Sequence, residues 1–264
     1  MKRVLLCPPT KFDVVYEINP WMHVEIKPER ASAMEAYRQL CEHYKALGFE
    51  IYELEPQDGL PDQVYTANVG NVKNSTFIRA NFKYDQRRRE SDFAEDFFET
   101  KFDMDAYALP EDVFFEGQGD LLSDGERYFF GWGKRSDRAA IPYLEHVLNT
   151  RVIDFELIDP YYYHLDTCFA PLSTDVVVIN PRSFTPEGRK RIAREFSTVI
   201  EANEADNRVL ACNLVCAGKE IVLGKGITEE LREKLAKFGY NTHEIDMCEY
   251  LKGGGSVKCC TFEF

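Results

Sequence analysis

Basic residues are the scarce class in this chain: 32 Lys and Arg stand against 45 Asp and Glu, a formal net charge of -13 over 264 residues. That balance argues against nucleic acid or an anionic membrane surface as the main partner, and it suits a small cationic ligand. Long apolar runs are missing too. Met1-Lys2-Arg3 followed by Val4-Leu5-Leu6-Cys7 imitates a secretory leader, but Pro8-Pro9 ends the run short of the ~7–15 apolar residues required. No later stretch approaches the ~20 needed to cross a bilayer. No membrane partner is expected, and the expected location is cytoplasmic. There are only five histidines, and the eight cysteines (7, 41, 168, 212, 216, 248, 259 and 260) contain no C-x-x-C pair. Zinc-ligand spacing is therefore lacking, and no metal or organic cofactor is expected.

What is present is a globular profile, 44% apolar and 29% charged, long enough to bury a core. Residues 1–264 show no linker or composition break and read as a single domain. After a first strand (3–7) and an aromatic loop ending in Asn19-Pro20-Trp21-Met22, helical spacing predicts a helix over 29–47, stopped by Gly48, and then a strand. A hairpin–helix–strand order then recurs: hairpins 64–72/76–80, 114–122/127–132, 168–172/176–179 and 210–215/220–223, each followed by a helix and a strand. That makes about five passes of roughly 50 residues, a period that points to a ring of units sharing one core. The chain ends in Gly253-Gly254-Gly255-Ser256-Val257-Lys258-Cys259-Cys260-Thr261-Phe262-Glu263-Phe264. Residues 257–264 are expected as a strand, with Cys259 and Cys260 on opposite faces.

Four stretches carry more polar and glycine residues than a core requires: Asp62 to Gly70, Phe115-Glu116-Gly117-Gln118-Gly119-Asp120, Tyr161 to Thr167, and the tail. Singly each has a structural explanation, such as a turn glutamate or a satisfied His–Asp pair. Each borders a strand in a different repeat, so a closed ring brings them to one axis. Together they supply a thiol, an imidazole and two carboxylates, a set for covalent catalysis on a cation. A guanidinium matches it: Glu116 and Asp166 can hold the planar fork, a cysteine thiolate can attack the central carbon, and His164 can move protons to the leaving amine and from water.

These segments, with Val64-Tyr65-Thr66-Ala67-Asn68 and Ala211-Cys212-Asn213, resemble the guanidino-modifying superfamily of arginine deiminases, dimethylargininases, amidinotransferases and arginine dihydrolases. The resemblance implies an α/β fold, the pentein: a five-bladed, pseudosymmetric propeller of ββαβ units. It implies Cys259 as nucleophile, His164 as general acid/base, and Glu116 and Asp166 as carboxylates beside the guanidinium and the histidine. It also implies that Arg135 grips a substrate α-carboxylate and that Arg87 is a second basic contact. Asn68 departs from the aspartate of deiminases and better-known dimethylargininases. Together with Asn19 it is similar to the arginine dihydrolases, which convert arginine to ornithine, carbon dioxide and ammonia.

The expected function is therefore cysteine-dependent hydrolysis of the guanidino group of L-arginine in two rounds. Dimethylargininase and single-round deiminase stand as alternatives, followed by an amidinotransferase or a non-catalytic arginine binder. Assembly into a homo-oligomer, closure of a lid, and the roles of Asp62 and Asp120 stay open at this level.

Overall fold

The chain forms five three-stranded sheets, each built in the same order. The computed structural model describes residues 2–264. β1 (Arg3–Leu6), α1 (Arg30–Ala46) and β2 (Glu50–Glu53) make most of the first unit. β3 (Gly70–Lys73), β4 (Thr76–Arg79), α2 (Glu90–Phe102) and β5 (Asp105–Ala108) make the second. The third is β6 (Leu121–Ser123), β7 (Tyr128–Trp132), α3 (Ile141–Leu148) and β8 (Val152–Glu156). β9 (Phe169–Pro171), β10 (Val176–Ile179), α4 (Pro186–Glu195) and β11 (Thr198–Glu201) form the fourth, with the short α5 (Glu204–Arg208) leading onward. The fifth is β12 (Val215–Ala217), β13 (Glu220–Gly224), α6 (Glu229–Lys237) and β14 (Asn241–Ile245), followed by α7 (Cys248–Leu251) and β15 (Phe262–Glu263).

In every sheet the middle strand runs antiparallel to the first and parallel to the third, and the helix makes the crossover that parallel pairing requires. This is the ββαβ propeller. The first unit lacks a hairpin strand of its own, and the chain's other end supplies it: β15 pairs antiparallel with β1, Val4 opposite Glu263 and Leu5 opposite Phe262. The ring closes there, which is why the tail is ordered rather than frayed.

Side-chain chemistry places the core between sheets and helices. In α1, Ala33, Ala36, Tyr37, Leu40, Cys41 and Tyr44 recur at helical spacing on the buried face. Glu29 caps this helix by accepting from the Ala31 and Ser32 amides, and Gly48, at φ +80°, ends it. The seam between the first two units is aromatic: Phe98 stacks on Phe77 at 4.8 Å and lies 5.2 Å from Phe262. Each such fully buried ring contributes roughly 2–3 kcal/mol of transfer free energy, so closing the ring recruits the tail into a shared core. Among the described residues no helix is long and apolar enough to cross a membrane.

The strands expected from 64, 114, 168, 210 and 257 all begin later, at Gly70, Leu121, Phe169, Val215 and Phe262. Tight turns occupy the residues before them. Asn68 N donates to Tyr65 O, Asp120 N to Gly117 O, Cys168 N to Leu165 O, Asn213 N to Leu210 O and Thr261 N to Lys258 O, all at 2.8–3.2 Å. These i to i−3 bonds satisfy the backbone without a strand partner, which frees the polar side chains to face the axis. The tail is the clearest correction. Residues 257–260 form a turn, closed also by Cys260 N donating to Ser256 O at 3.1 Å. The two thiols diverge because of that turn and not because of strand alternation. The short helices α5 and α7 were not anticipated either.

Candidate active site

The turns that precede the first strands deliver one polar group after another to the axis. Cys259 sits on the tail turn, buried. Its Sγ is 3.0 Å from Asn213 Nδ2 and 3.3 Å from Asp166 Oδ2. Cys260, one residue on, lies in the apolar cluster under α1 with Tyr44 and Tyr250. Burial pushes both thiols up, and the Asp166 carboxyl beside Cys259 adds to that effect. Without a ligand, Cys259 is therefore a thiol donating to Asp166. Burial also raises Asp166, to about 7, against the partial relief of the Cys259 contact and Lys258. Its Oδ1 has no hydrogen-bond partner.

Glu116 lies across the site from this pair. Its Oε2 accepts from His164 Nε2 at 2.7 Å and from Arg135 Nη1 at 3.0 Å, and its Oε1 accepts from the Lys83 amide at 3.2 Å. Burial alone would raise Glu116, but Arg135 and His164 overrule it and hold the carboxyl well below the usual range. Burial lowers His164 to about 4 despite the glutamate. At neutral pH this is a neutral imidazole hydrogen-bonded to a carboxylate, not an ion pair.

The two arginines are held differently. Arg135 lies between the faces of Tyr84 and Tyr163, 4.7 and 4.4 Å from the ring centres, and its Nη2 donates at 3.0 Å to the Ile18 carbonyl of the covering loop, residues 7–29 between β1 and α1. Arg87 is clamped by Glu90 through Nε at 2.9 Å and Nη2 at 2.7 Å, while its Nη1 donates to Asn68 Oδ1 at 2.9 Å. That last bond fixes the Asn68 amide: the oxygen is taken, and Nδ2 is left as a buried donor without a partner. Gly119 makes room for it, since a Cβ there would stand 2.4 Å from Asn68 Nδ2 and 3.2 Å from His164.

Asn19 is held by the glycine turn of the tail. Its amide joins the covering loop to the glycine turn, donating to Gly253 O at 3.1 Å and Tyr163 Oη at 3.3 Å. Gly254, at φ +87°, could carry no side chain, because a Cβ would meet Asn19 Oδ1 and Tyr163 Oη at 2.8 Å. The covering loop is also pinned by Tyr16, whose hydroxyl donates to Asp62 Oδ2 at 3.0 Å. The two aspartates left open by sequence now separate. Asp120 has both oxygens occupied, by Ser136 Oγ at 2.6 Å and the Leu165 amide at 3.0 Å, and is structural. Asp62 retains a buried, unpartnered Oδ1.

Sequence reasoning did not assign Asn213, Glu90, Tyr84 or Tyr163. Asn213 was visible in Ala211-Cys212-Asn213, but nothing in a linear pattern says which side chain an amide meets. An open cavity of about 550 Å³ lies elsewhere, lined by β3, β6, β9 and β12 with Lys2, Gln118, Lys258 and Glu263. None of the four predicted catalytic side chains lines it. Lys258, next to Cys259, closes that wall by donating to Gln118 Oε1 at 2.7 Å and Thr261 O at 3.1 Å and pairing with Glu263 at 3.1 Å. Among the described residues no three His, Cys, Asp or Glu side chains are arranged to hold a metal ion.

The chain is similar to proteins of known activity along its full length. It is 36% identical over 266 residues to the bifunctional arginine dihydrolase/ornithine cyclodeaminase ArgZ of Synechocystis sp., an alignment covering 98% of this chain and 37% of that protein. It is 35% identical over 265 residues to the N(G),N(G)-dimethylarginine dimethylaminohydrolase of Mycobacterium tuberculosis, covering 99% of this chain and 85% of that one. The crystal structure of the N-terminal domain of ArgZ, in an asparagine-to-serine variant covalently bonded to a reaction intermediate, superposes with a TM-score of 0.95 at 34% identity, covering 100% of this chain and 97% of that domain. The family model for the eukaryotic N,N dimethylarginine dimethylhydrolases matches residues 17–264. With that match and these relatives, the chain belongs to the dimethylarginine dimethylhydrolase family of guanidino-group hydrolases.

Proposed function

We propose that this chain hydrolyses the guanidino group of L-arginine as an arginine dihydrolase, with 1–264 acting as one hydrolase domain in the cytoplasm. The observation that carries the reading is the Asn68 amide. Because Arg87 occupies its oxygen, Asn68 offers N–H and not a carboxylate to the substrate. An N–H donor suits the carbonyl oxygen of the neutral ureido product, which an aspartate would repel. Retained in place, that product can be attacked again.

The entering guanidinium finds unpartnered acceptors at Asp166 Oδ1 and Asp62 Oδ1. Its positive charge offsets the burial that keeps Cys259 and Asp166 protonated: Asp166 gives its proton to solvent, the Cys259 proton passes to His164 for the leaving nitrogen, and the thiolate forms beside the substrate. Sγ attacks the guanidino carbon, and the C–N bond to ammonia breaks as the nitrogen takes a proton through His164. Water, losing a proton to His164, then adds to the covalent adduct and releases citrulline and the thiol. A second round on citrulline yields ornithine, carbon dioxide and ammonia, so each arginine consumes two waters. Glu116 keeps the imidazole oriented, Arg135 holds Glu116 ionised, and Arg87 fixes the Asn68 amide.

Product analysis tests this. Incubation with L-arginine is expected to give ornithine and two ammonia per arginine. Citrulline as the only product would make the protein a deiminase. Dimethylamine from methylated arginine, with arginine untouched, would favour the second reading, dimethylargininase, which the Mycobacterium tuberculosis relative supports.

A further inference from the structure

We propose that Asn213 is a further catalytic residue, a hydrogen-bond donor to the Cys259 sulfur that stabilises its thiolate while holding its backbone in attacking position. The proposal rests on Cys259 being the nucleophile.

Asn213 is fully buried in the turn before β12, just after Leu210, which adopts φ +52°. Its Oδ1 accepts two backbone N–H groups of the tail, from Ser256 at 3.1 Å and from Cys259 at 3.0 Å. Both are donors and cannot be turned round, so the amide has one orientation and the NH2 must face the other way. Its two hydrogens are directed to Cys259 Sγ at 3.0 Å and to the carbonyl of Asp166 at 3.1 Å. One side chain thus ties together the nucleophile, the glycine turn that carries it and the backbone of the neighbouring carboxylate.

The other polar neighbour of the sulfur is Asp166 Oδ2, an acceptor that favours the thiol and repels the thiolate. Asn213 is the neutral donor aimed at the same atom. A hydrogen bond to the charged form strengthens as charge develops, so the amide favours ionisation in a site where burial opposes it.

Asn213→Asp keeps an oxygen for the Ser256 and Cys259 amides and removes the donor; Asn213→Ala removes both. Cys259 alkylation by iodoacetamide, located by mass spectrometry, is followed against pH beside kcat and KM. Loss of an aligned donor is expected to lower kcat by at least ~100-fold in both variants with KM within about fivefold. The midpoint of Cys259 alkylation should rise by about one pH unit or more. An aspartate variant with a wild-type alkylation profile and near-normal kcat would overturn the proposal and leave Asn213 a structural turn residue. Should that variant not fold, the alanine variant is scored on the same profile, where an unshifted midpoint overturns it. Turnover surviving in Cys259→Ala would instead remove the nucleophile reading, and the alkylation profiles would still report whether the amide acts on the sulfur.

Discussion

Glu116 and Asp166 are carboxylates of equal burial, both fully enclosed, and their proton affinities are driven in opposite directions. Glu116 has a guanidinium and an imidazole N–H on a single oxygen and stays ionised. Asp166 has a thiol on one oxygen and nothing on the other, and burial raises it to about 7. Enclosure alone therefore does not decide ionisation; the partners do. Such a divided pair supplies one group that holds charge permanently and another that gains it only when a cation arrives.

The largest break in that contrast is expected from Glu116→Gln. It strands the buried Arg135 charge, so chemical denaturation should show a loss of about 3 kcal/mol or more, and turnover should fall at least ~100-fold as His164 loses its orienting partner. Asp166→Asn is the matching experiment on the other side. A neutral amide replaces a group already protonated near neutrality, so stability at pH 6 should change by less than about 1 kcal/mol, while arginine turnover drops ~100-fold or more for want of a carboxylate. An Asp166→Asn loss of stability as large as that of Glu116→Gln would erase the distinction.

The pH dependence sharpens it further. A carboxyl whose folded pKa is raised contributes stability that is full below its ordinary value of 3.8 and is lost as pH rises toward and through about 7. Glu116, held low, contributes stability that is present above its ordinary value of 4.5 and lost as pH falls. The urea-unfolding free energy of wild type relative to Asp166→Asn should therefore decline between about pH 5 and 7, by up to ~1.4 kcal/mol per pH unit. Parallel curves would mean that Asp166 is already ionised in the unliganded fold. Smallest is Arg135→Lys, which keeps the charge beside Glu116 but loses the planar stack between Tyr84 and Tyr163. Its kcat/KM for arginine should fall about tenfold, with roughly 1 kcal/mol of stability.

Much of this was legible in the chain, for physical reasons. Helix α1 followed from apolar residues at helical spacing and a glycine stop, and the five units followed from a recurring order of turn signals and apolar runs. A tail thiol, His164, Glu116 and Asp166 were legible as a candidate set because glycine and polar residues bordered strands in separate units, and the family resemblance singled out Cys259. The strand starts were not. Local alternation reads 64–69 or 257–260 as extended, whereas i to i−3 bonds turn both segments inward. Arg87 and Asn19 were legible as polar residues of the site, but their occupation by Glu90 and Gly253 depends on residues that only the fold brings close.

Sequence by itself determined the kind of molecule: an acidic α/β ring of five units carrying one thiol, one imidazole and two carboxylates, because composition and periodicity are local properties. Tertiary structure alone decided which carboxylate is held ionised and which way the Asn68 and Asn213 amides point. Those outcomes are set by hydrogen-bond partners and burial contributed from distant parts of the chain, and no spacing along it encodes them.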